Sequence, residues 1–262
     1  MVVNSFEQYM FSINAILFAS KQTPFTLYKL EQHNIIIQFI RIEEFKNTAI
    51  SLNFFTNFAE QFVTQKYKVI NIWEDVWKLK PEQVKQRIKS LLGFSQKIHA
   101  RQTQVVRLNK LQASTFLRLN HLQGDTNAYY KFGLKFNDEI VAVATFSKAR
   151  TMYDGPVYYR SFELERFANK LGLNVVGGFS KLISNFTLTT HAKHIMTYAD
   201  CDWSTGESYL KLGFNLIEKS PPNIFFLNEN TLARVAEKQE NKAASFLKIW
   251  NAGSLKFVLD KR

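Results

Sequence analysis

Apolar residues follow two rhythms along this chain, and each change of rhythm marks an element. Residues 35–40 (Ile-Ile-Ile-Gln-Phe-Ile) and 68–73 (Lys-Val-Ile-Asn-Ile-Trp) are short, nearly continuous apolar runs, which predicts buried strands. The aromatic-rich stretch 52–64 between them predicts a helix. Residues 81–93 predict a helix with clear ends. Pro81 suits the first turn, Val84, Ile88, Leu91 and Leu92 share a face, and Gly93 suits the position after the last turn. A strand at 104–108 and a helix at 112–122, ending at Gly124, come next. Strands 129–136 and 139–146 flank Asn137-Asp138, a pair that favours a two-residue hairpin turn. There follow a long strand at 157–167, a helix marked by Phe179, Leu182, Ile183 and Phe186, a strand at 194–199 and a helix at 205–212. Strands at 214–217 and 224–227 flank Pro221-Pro222. Residues 230–249 predict a basic helix and 255–259 a final strand.

This order is that of an α/β protein. It divides into a small α/β module over 1–77, a basic bridging helix and linker over 78–103, and a larger domain over 104–262. With 262 residues, 46% of them apolar, the chain can build a packed core. The single cysteine, Cys201, excludes an intramolecular disulfide framework and fits a reducing, cytoplasmic setting. No apolar run approaches the ~18 residues of a membrane span, and Met1–Gln8 carries no positive charge, so neither a span nor a signal peptide is expected.

The net charge is +12. The abundance of Lys, Asn, Ile and Phe matches the codon usage of an A+T-rich gene, so the distribution of charge says more than its total. From Lys78 to Arg118 there are ten basic residues, among them Lys85, Arg87, Lys89, Lys97 and Arg101, against one acid, Glu82. Such a stripe is the footprint of a phosphate-binding surface, and DNA is the partner expected for it. The plainer alternative is a solvated helix face.

Three segments carry a resemblance. Residues 137–144 (Asn-Asp-Glu-Ile-Val-Ala-Val-Ala), 176–183 (Val-Gly-Gly-Phe-Ser-Lys-Leu-Ile) and 209–214 (Tyr-Leu-Lys-Leu-Gly-Phe) resemble the second and third strands, the pyrophosphate loop and the YxKxGF segment of GNAT acyltransferases. The resemblance covers roughly 120 residues and implies a mixed central sheet flanked by helices. It also implies an acyl-CoA, such as acetyl-CoA, held by Val176, Gly177, Gly178, Phe179 and Ser180, where backbone N–H groups at a helix start cradle phosphate. Asn174 and Phe179 depart from that family's loop pattern. Residues 163–167 (Glu-Leu-Glu-Arg-Phe), 197–200 (Thr-Tyr-Ala-Asp) and 206–209 (Gly-Glu-Ser-Tyr) resemble the ELxRL, SYAD and GxxY segments of Mom-like phage proteins, GNAT-fold modifiers of adenine in DNA. Residues 71–77, 98–101, 121–124, 197–206 and 251–257 also resemble the C-terminal half of phage homing-endonuclease-like proteins, whose N-terminal half is a Vsr-like nuclease. Here the acidic pairs of that half are Glu43-Glu44 and Glu74-Asp75, without the convergent carboxylates a Mg²⁺ nuclease needs. A degenerate nuclease fold kept for docking DNA is the expectation.

The candidate catalytic residues are Glu163, Arg166, Asp200 and Tyr209. On a regular strand Glu163 and Glu165 share one face while Leu164 and Arg166 share the other. Two acids on a central strand point either to a solvated cleft or to an ion pair with Arg166 or Arg160. Asp200 ends a strand, where functional side chains of α/β folds gather. The resemblance assigns Tyr209 as general acid toward a leaving thiolate; the alternative is a packed core tyrosine. Trp203 is a candidate for stacking on a base and His121 for contacting DNA. His191 and His194 have zinc-like spacing without partners, so no metal is expected. Three functions follow: group transfer to a base amine in DNA, a non-catalytic DNA-binding module, or an acyl-CoA-dependent N-acyltransferase acting on a small amine or protein.

Overall fold

The computed structural model describes residues 5–236 and 246–262. By contacts the chain forms two compact units: residues 1–81, 199–206 and 218–255, and residues 82–198, 207–217 and 256–262. The units are interleaved along the chain, so much of the segment 199–255 groups with the N-terminal residues.

In the first unit, α1 (Ser5–Ser12) leads into β1 (Ile16–Phe18), β2 (Thr26–Leu30) and β3 (Ile35–Ile40). Helices α2 (Ile42–Lys46) and α3 (Phe54–Glu60) precede β4 (Lys68–Trp73) and α4 (Glu74–Leu79). The sheet order is β1-β2-β3-β4, with β3 and β4 parallel and the other pairs antiparallel. All six residues of β3 are buried, the pattern of a strand covered on both faces. Its one polar member, Gln38, donates to Thr23 Oγ1 at 2.6 Å.

The second unit opens with α5 (Pro81–Leu91), which buries Val84 and Ile88 and ends before Gly93 at φ +81°. Then come β5 (Gln96–His99), β6 (Gln104–Arg107), α6 (Lys110–Asn120), β7 (Tyr130–Phe136), β8 (Glu139–Phe146), β9 (Arg150–Asp154) and β10 (Val157–Asn169). The turn between β7 and β8 is Asn137-Asp138, at φ +47° and +63°, the left-handed pair a type I′ turn requires. After β11 (Leu173–Val176), paired in parallel with β5, come α7 (Gly178–Thr190), β12 (His194–Asp200) and the single-turn α8 (Glu207–Leu210). Strands β13 (Asn215–Ser220), β14 (Ile224–Asn228), β15 (Arg234–Ala236), β16 (Phe246–Trp250) and β17 (Ser254–Asp260) complete the chain.

The central sheet runs β13-β17-β12-β10-β8-β7-β6, with β9 added on β10. It is mixed, β10 being antiparallel to β8 and parallel to β12, and helices flank it, as the sequence leads one to expect. Strand alternation assigns the two faces. Val143 and Ala168 pack under α6 with Leu117, whereas Phe146, Phe132 and Phe162 surround Phe186 of α7. Phe146 and Phe186 stack at 3.8 Å.

The basic helix predicted over 230–249 is not present in the described part of that segment. β15 and β16 instead pair with β14, and Leu227 and Ile249 are buried in the first unit's core beside Phe25, Ile40 and Trp73. Pairing with β14 brings Leu247, Ile249 and Trp250 of β16 against the first unit's core, and this burial rather than helical spacing decides the state of the segment. Residues 237–245 lie outside the described residues. Among the described residues no helix is long and apolar enough to cross a membrane.

Candidate functional site

Strand β10 builds the candidate site through one irregularity. Leu164 faces Phe146 and Arg166 faces Thr145, so Glu165 is an extra residue with no partner opposite it. Such a β-bulge redirects the side chains that follow. Before it, Phe162 and Leu164 point toward α7; after it, Phe167 does so, and Arg166 and Ala168 point toward α6. Glu163 and Arg166 therefore share the α6 face, which corrects the strict alternation predicted from sequence.

On that face Lys131, Thr145 and Arg166 stand side by side across three paired strands. Beside them lies an open groove of about 560 Å³ lined by Asn127, Tyr129, Lys131, Ser147, Lys148 and Glu165. Thr145 is buried and its Oγ1 has no hydrogen-bond partner, and neither does the buried Arg166 Nε. Buried polar atoms without partners are rare and mark places where a ligand or water completes the set.

The charges of the site constrain one another. Burial pushes the Glu163 carboxyl above its usual range, with Glu165 adding to the effect and Arg150 and Arg166 opposing it. Arg150 ion-pairs with Glu163 at 3.3 Å. Burial works against the charge of Arg166, while Glu165, Glu163 and Asp125 favour it. Lys131 is lowered by burial, with Glu165 opposing; its ammonium donates to the carbonyls of Ala128 and Tyr129. Thr126 donates to Glu165. Lys131, Thr145, Tyr129, Thr126 and Ser147 are absent from the sequence-predicted set. The available signal was a lone polar Thr145 closing an apolar strand and Lys131 opening another.

The α7 face carries the residues that the sequence proposes for a cofactor loop. Gly177, the residue before α7, is left-handed at φ +76°, and no side chain caps the helix. The first-turn amides of Gly178, Phe179 and Ser180 are thus donors without intrahelical acceptors. Gly178 has no room for a side chain, since a Cβ would come within 2.8 Å of Val175 Cγ1 and 3.0 Å of Leu134 Cδ1. Val176, Gly177 and Ser180 are exposed. The Phe179 ring turns away from the loop, stacked on Phe167 at 4.5 Å and edge-on to Tyr209 at 5.6 Å.

Tyr209 belongs to this aromatic cluster, stacked on Phe257 and edge-on to Phe214. Its hydroxyl is hydrogen-bonded to the Thr197 side chain, and burial holds it above the usual phenol range. Thr197 Oγ1 in turn donates to Leu164 O at 3.0 Å. This relay joins β12 to β10 just where their ladder ends, because the two strands pair only over Ser161–Glu163.

Asp200 lies elsewhere, in the first unit. It accepts from Asp202 N and Asn251 Nδ2 at 3.0 and 3.3 Å, and Asp202, wholly buried, accepts from Asn71 Nδ2 and Ala252 N. Burial beside Asp200 raises Asp202 to about 7, with Asn71, Ala252 and Arg234 opposing. Trp203 is buried, which removes it as a base-stacking side chain. Burial pushes the Cys201 thiol up to about 11, so it is not an activated nucleophile.

The acids of the N-terminal module are engaged in structural pairs. Asp75 receives a bidentate Arg234 at 2.6 and 2.8 Å, Glu74 binds Lys78 and the Ile42 amide, and Glu44 binds Arg41. Among the described residues no His, Cys, Asp and Glu cluster could hold a metal ion. His194 is buried with Nδ1 2.8 Å from Ser161 Oγ, and His191 ends α7 in the left-handed region. Of the expected DNA contacts, Arg87, Lys97 and Arg101 are exposed, Lys89 is half-buried, and Lys85 pairs with Glu82 at 2.8 Å. His121 ends α6, and its Nδ1 accepts from Gln123 N.

No family model matches the chain, and no curated protein matches it. Among solved structures it is similar to an acetyltransferase of Bacillus subtilis in complex with CoA (13% identity over 60% of this chain and 98% of that one, TM-score 0.39). It is also similar to an N-acetyltransferase from Staphylococcus aureus Mu50 (14%, 61% and 99%, TM-score 0.38). A third is a histone acetyltransferase HPA2 and related acetyltransferase structure from Corynebacterium glutamicum (14%, 62% and 97%, TM-score 0.37).

Proposed function

We propose that the second unit is a GNAT-like group-transfer enzyme whose acceptor is a base amine in DNA and whose donor is an acyl-CoA. The observation that carries the reading is the polar row beside the groove. Lys131, which lines the groove with Glu165, stands in line with the buried Thr145 and with Arg166 on the same face of the sheet, and two polar atoms of that row lack partners.

The α7 loop fits a pyrophosphate: three uncapped amides at a helix start, a left-handed glycine and a Phe179 ring folded away from them. Residues 176–180 would hold it; a bound acyl-CoA would supply the acyl group of its thioester and, once that C–S bond is exchanged for the amide C–N bond, would leave as the free thiol with the proton that the amine gives up. Glu163, with its affinity for protons raised by burial, is suited to take the proton an attacking amine gives up. The acceptor enters the groove beside the row of Lys131, Thr145 and Arg166. The carboxylate Glu165 and the ammonium of Lys131 bracket it, and the Tyr129 ring offers it a flat apolar wall. The parting of β10 from β12 after Glu163 gives the two faces of the sheet a common edge. The basic stripe of the same unit suits a phosphate backbone, with the target base flipped out of its stack.

Calorimetric titration with coenzyme A tests the donor half. Ser180 is exposed in the first turn of α7, where a glutamate suits the helix but repels phosphate. The wild type is expected to bind and Ser180→Glu to bind at least about tenfold more weakly, a difference of about 1.4 kcal/mol. Equal affinity of the two would remove the loop from the reading. It would then favour the non-catalytic module, which needs the basic stripe alone.

A further inference from the structure

The parallel strands β5 and β11 end together, on the pair His99 and Val176. Beyond it one segment enters Gly177 and α7, and the other a 3₁₀ turn over Ala100–Gln102. The turn and the loop lie side by side: a Cβ on Gly177 would stand 3.5 Å from the Ala100 Cβ. Three donors converge on Ala100 O, Thr103 N at 3.0 Å, Thr103 Oγ1 at 2.7 Å and Lys181 Nζ at 2.9 Å. Lys181 Nζ also donates to Thr103 O.

Lys181 lies near the start of α7, where its amide donates to Gly177 O at 3.0 Å. A cation so close to a helix start opposes the helix dipole. Its ammonium is spent on two backbone carbonyls and on no carboxylate among the described residues. Helix stability does not account for this lysine; the tie it makes between the turn and the helix does.

The tie acts on the residues proposed for the donor. Gly177 is left-handed and no side chain caps α7, so nothing within the helix fixes the loop that precedes it. Two neighbours hold it instead. Val175 and Leu134 close on Gly178, and the clamped turn bears on Gly177. We infer that Lys181 is a positioning residue for the donor: by clamping the turn against Gly177 it holds the amides of Gly178, Phe179 and Ser180 in place for a pyrophosphate. The inference rests on the acyl-CoA half of the reading above. The stretch that carries Lys97 and Arg101 thereby also braces the donor loop.

Calorimetric titration of the full chain with coenzyme A, well below the melting temperature of each protein, tests it. Lys181→Met keeps an unbranched apolar stem and removes the ammonium, and Lys181→Arg keeps a cation with several donors. The methionine variant is expected to bind at least about tenfold more weakly than the wild type, and the arginine variant within about threefold of it. A lysine that only stabilises the fold would lower the melting temperature and leave the affinity of the folded protein unchanged. Equal affinity of the methionine variant and the wild type, or an arginine variant no better than the methionine one, overturns the clamp and leaves the donor reading standing. Failure of the wild type to bind coenzyme A overturns both. Hydrogen–deuterium exchange of the wild type needs no variant. Coenzyme A is expected to slow exchange in 99–103 together with 177–181, and slowing at 177–181 alone overturns the clamp.

Discussion

Arg166 and Glu163, three residues apart in one strand, share a face of the central sheet because Glu165 between them is an extra residue. The ladder with β8 passes from Leu164–Phe146 to Arg166–Thr145 without using it. Deleting Glu165 therefore leaves a regular strand with every downstream side chain on its present face. The deletion variant is expected to fold, with a melting temperature within a few degrees of the wild type, and to lose group transfer. Differential scanning calorimetry beside an activity assay checks this. An unfolded variant would mean that the bulge is part of the scaffold.

Gly177 and Gly178 make separate demands at the start of α7. At Gly177 an alanine has space but must adopt φ +76°, at a cost of about 1 kcal/mol. At Gly178 an alanine would press on Val175 and Leu134, both packed in place, at a cost of about 2–3 kcal/mol. Urea denaturation should rank Gly178→Ala as the more damaging substitution.

Asp202 makes the first unit sensitive to pH. Its folded pKa, about 7, lies above the ordinary carboxylate value, so the folded chain binds a proton that the unfolded chain releases. Stability is then greatest below about pH 4 as far as this group is concerned. It falls as pH rises toward and through 7, by an amount on the order of 4 kcal/mol. Asp202→Asn should flatten the stability profile between pH 5 and 8 and be more stable than the wild type at the alkaline end. Denaturant midpoints across those pH values measure it; identical slopes would contradict it.

Cys201 should be inert in the native protein. With its thiol near 11 and half-buried, the thiolate is scarce at pH 8. A thiol-specific chromogenic disulfide is expected to react slowly with the folded chain and at once in denaturant.

The elements with strong local chemistry were legible in the sequence. Asn137-Asp138 announces a left-handed turn, Pro81 and Gly93 bracket a helix, and Ile35–Ile40 reads as a buried strand. The bulge at Glu165 was not, because it has no glycine to mark it and appears only when the partner strand supplies the count. The strands around Val235 and Ile249 were misread because tertiary pairing with β14, rather than propensity, decides their state. Asp200 and Tyr209 were visible as unusual residues. Their partners, Asn251 and Thr197, are distant in sequence, and no local pattern names them.

The central claim is group transfer to DNA, and nucleoside mass spectrometry tests it most directly. Total DNA from cells expressing the wild-type chain is compared with DNA from cells expressing Glu163→Gln at equal soluble level. A new adducted nucleoside with the wild type, absent with the variant, is the predicted result, and its mass would name the group transferred. An unchanged nucleoside profile in both would contradict the claim.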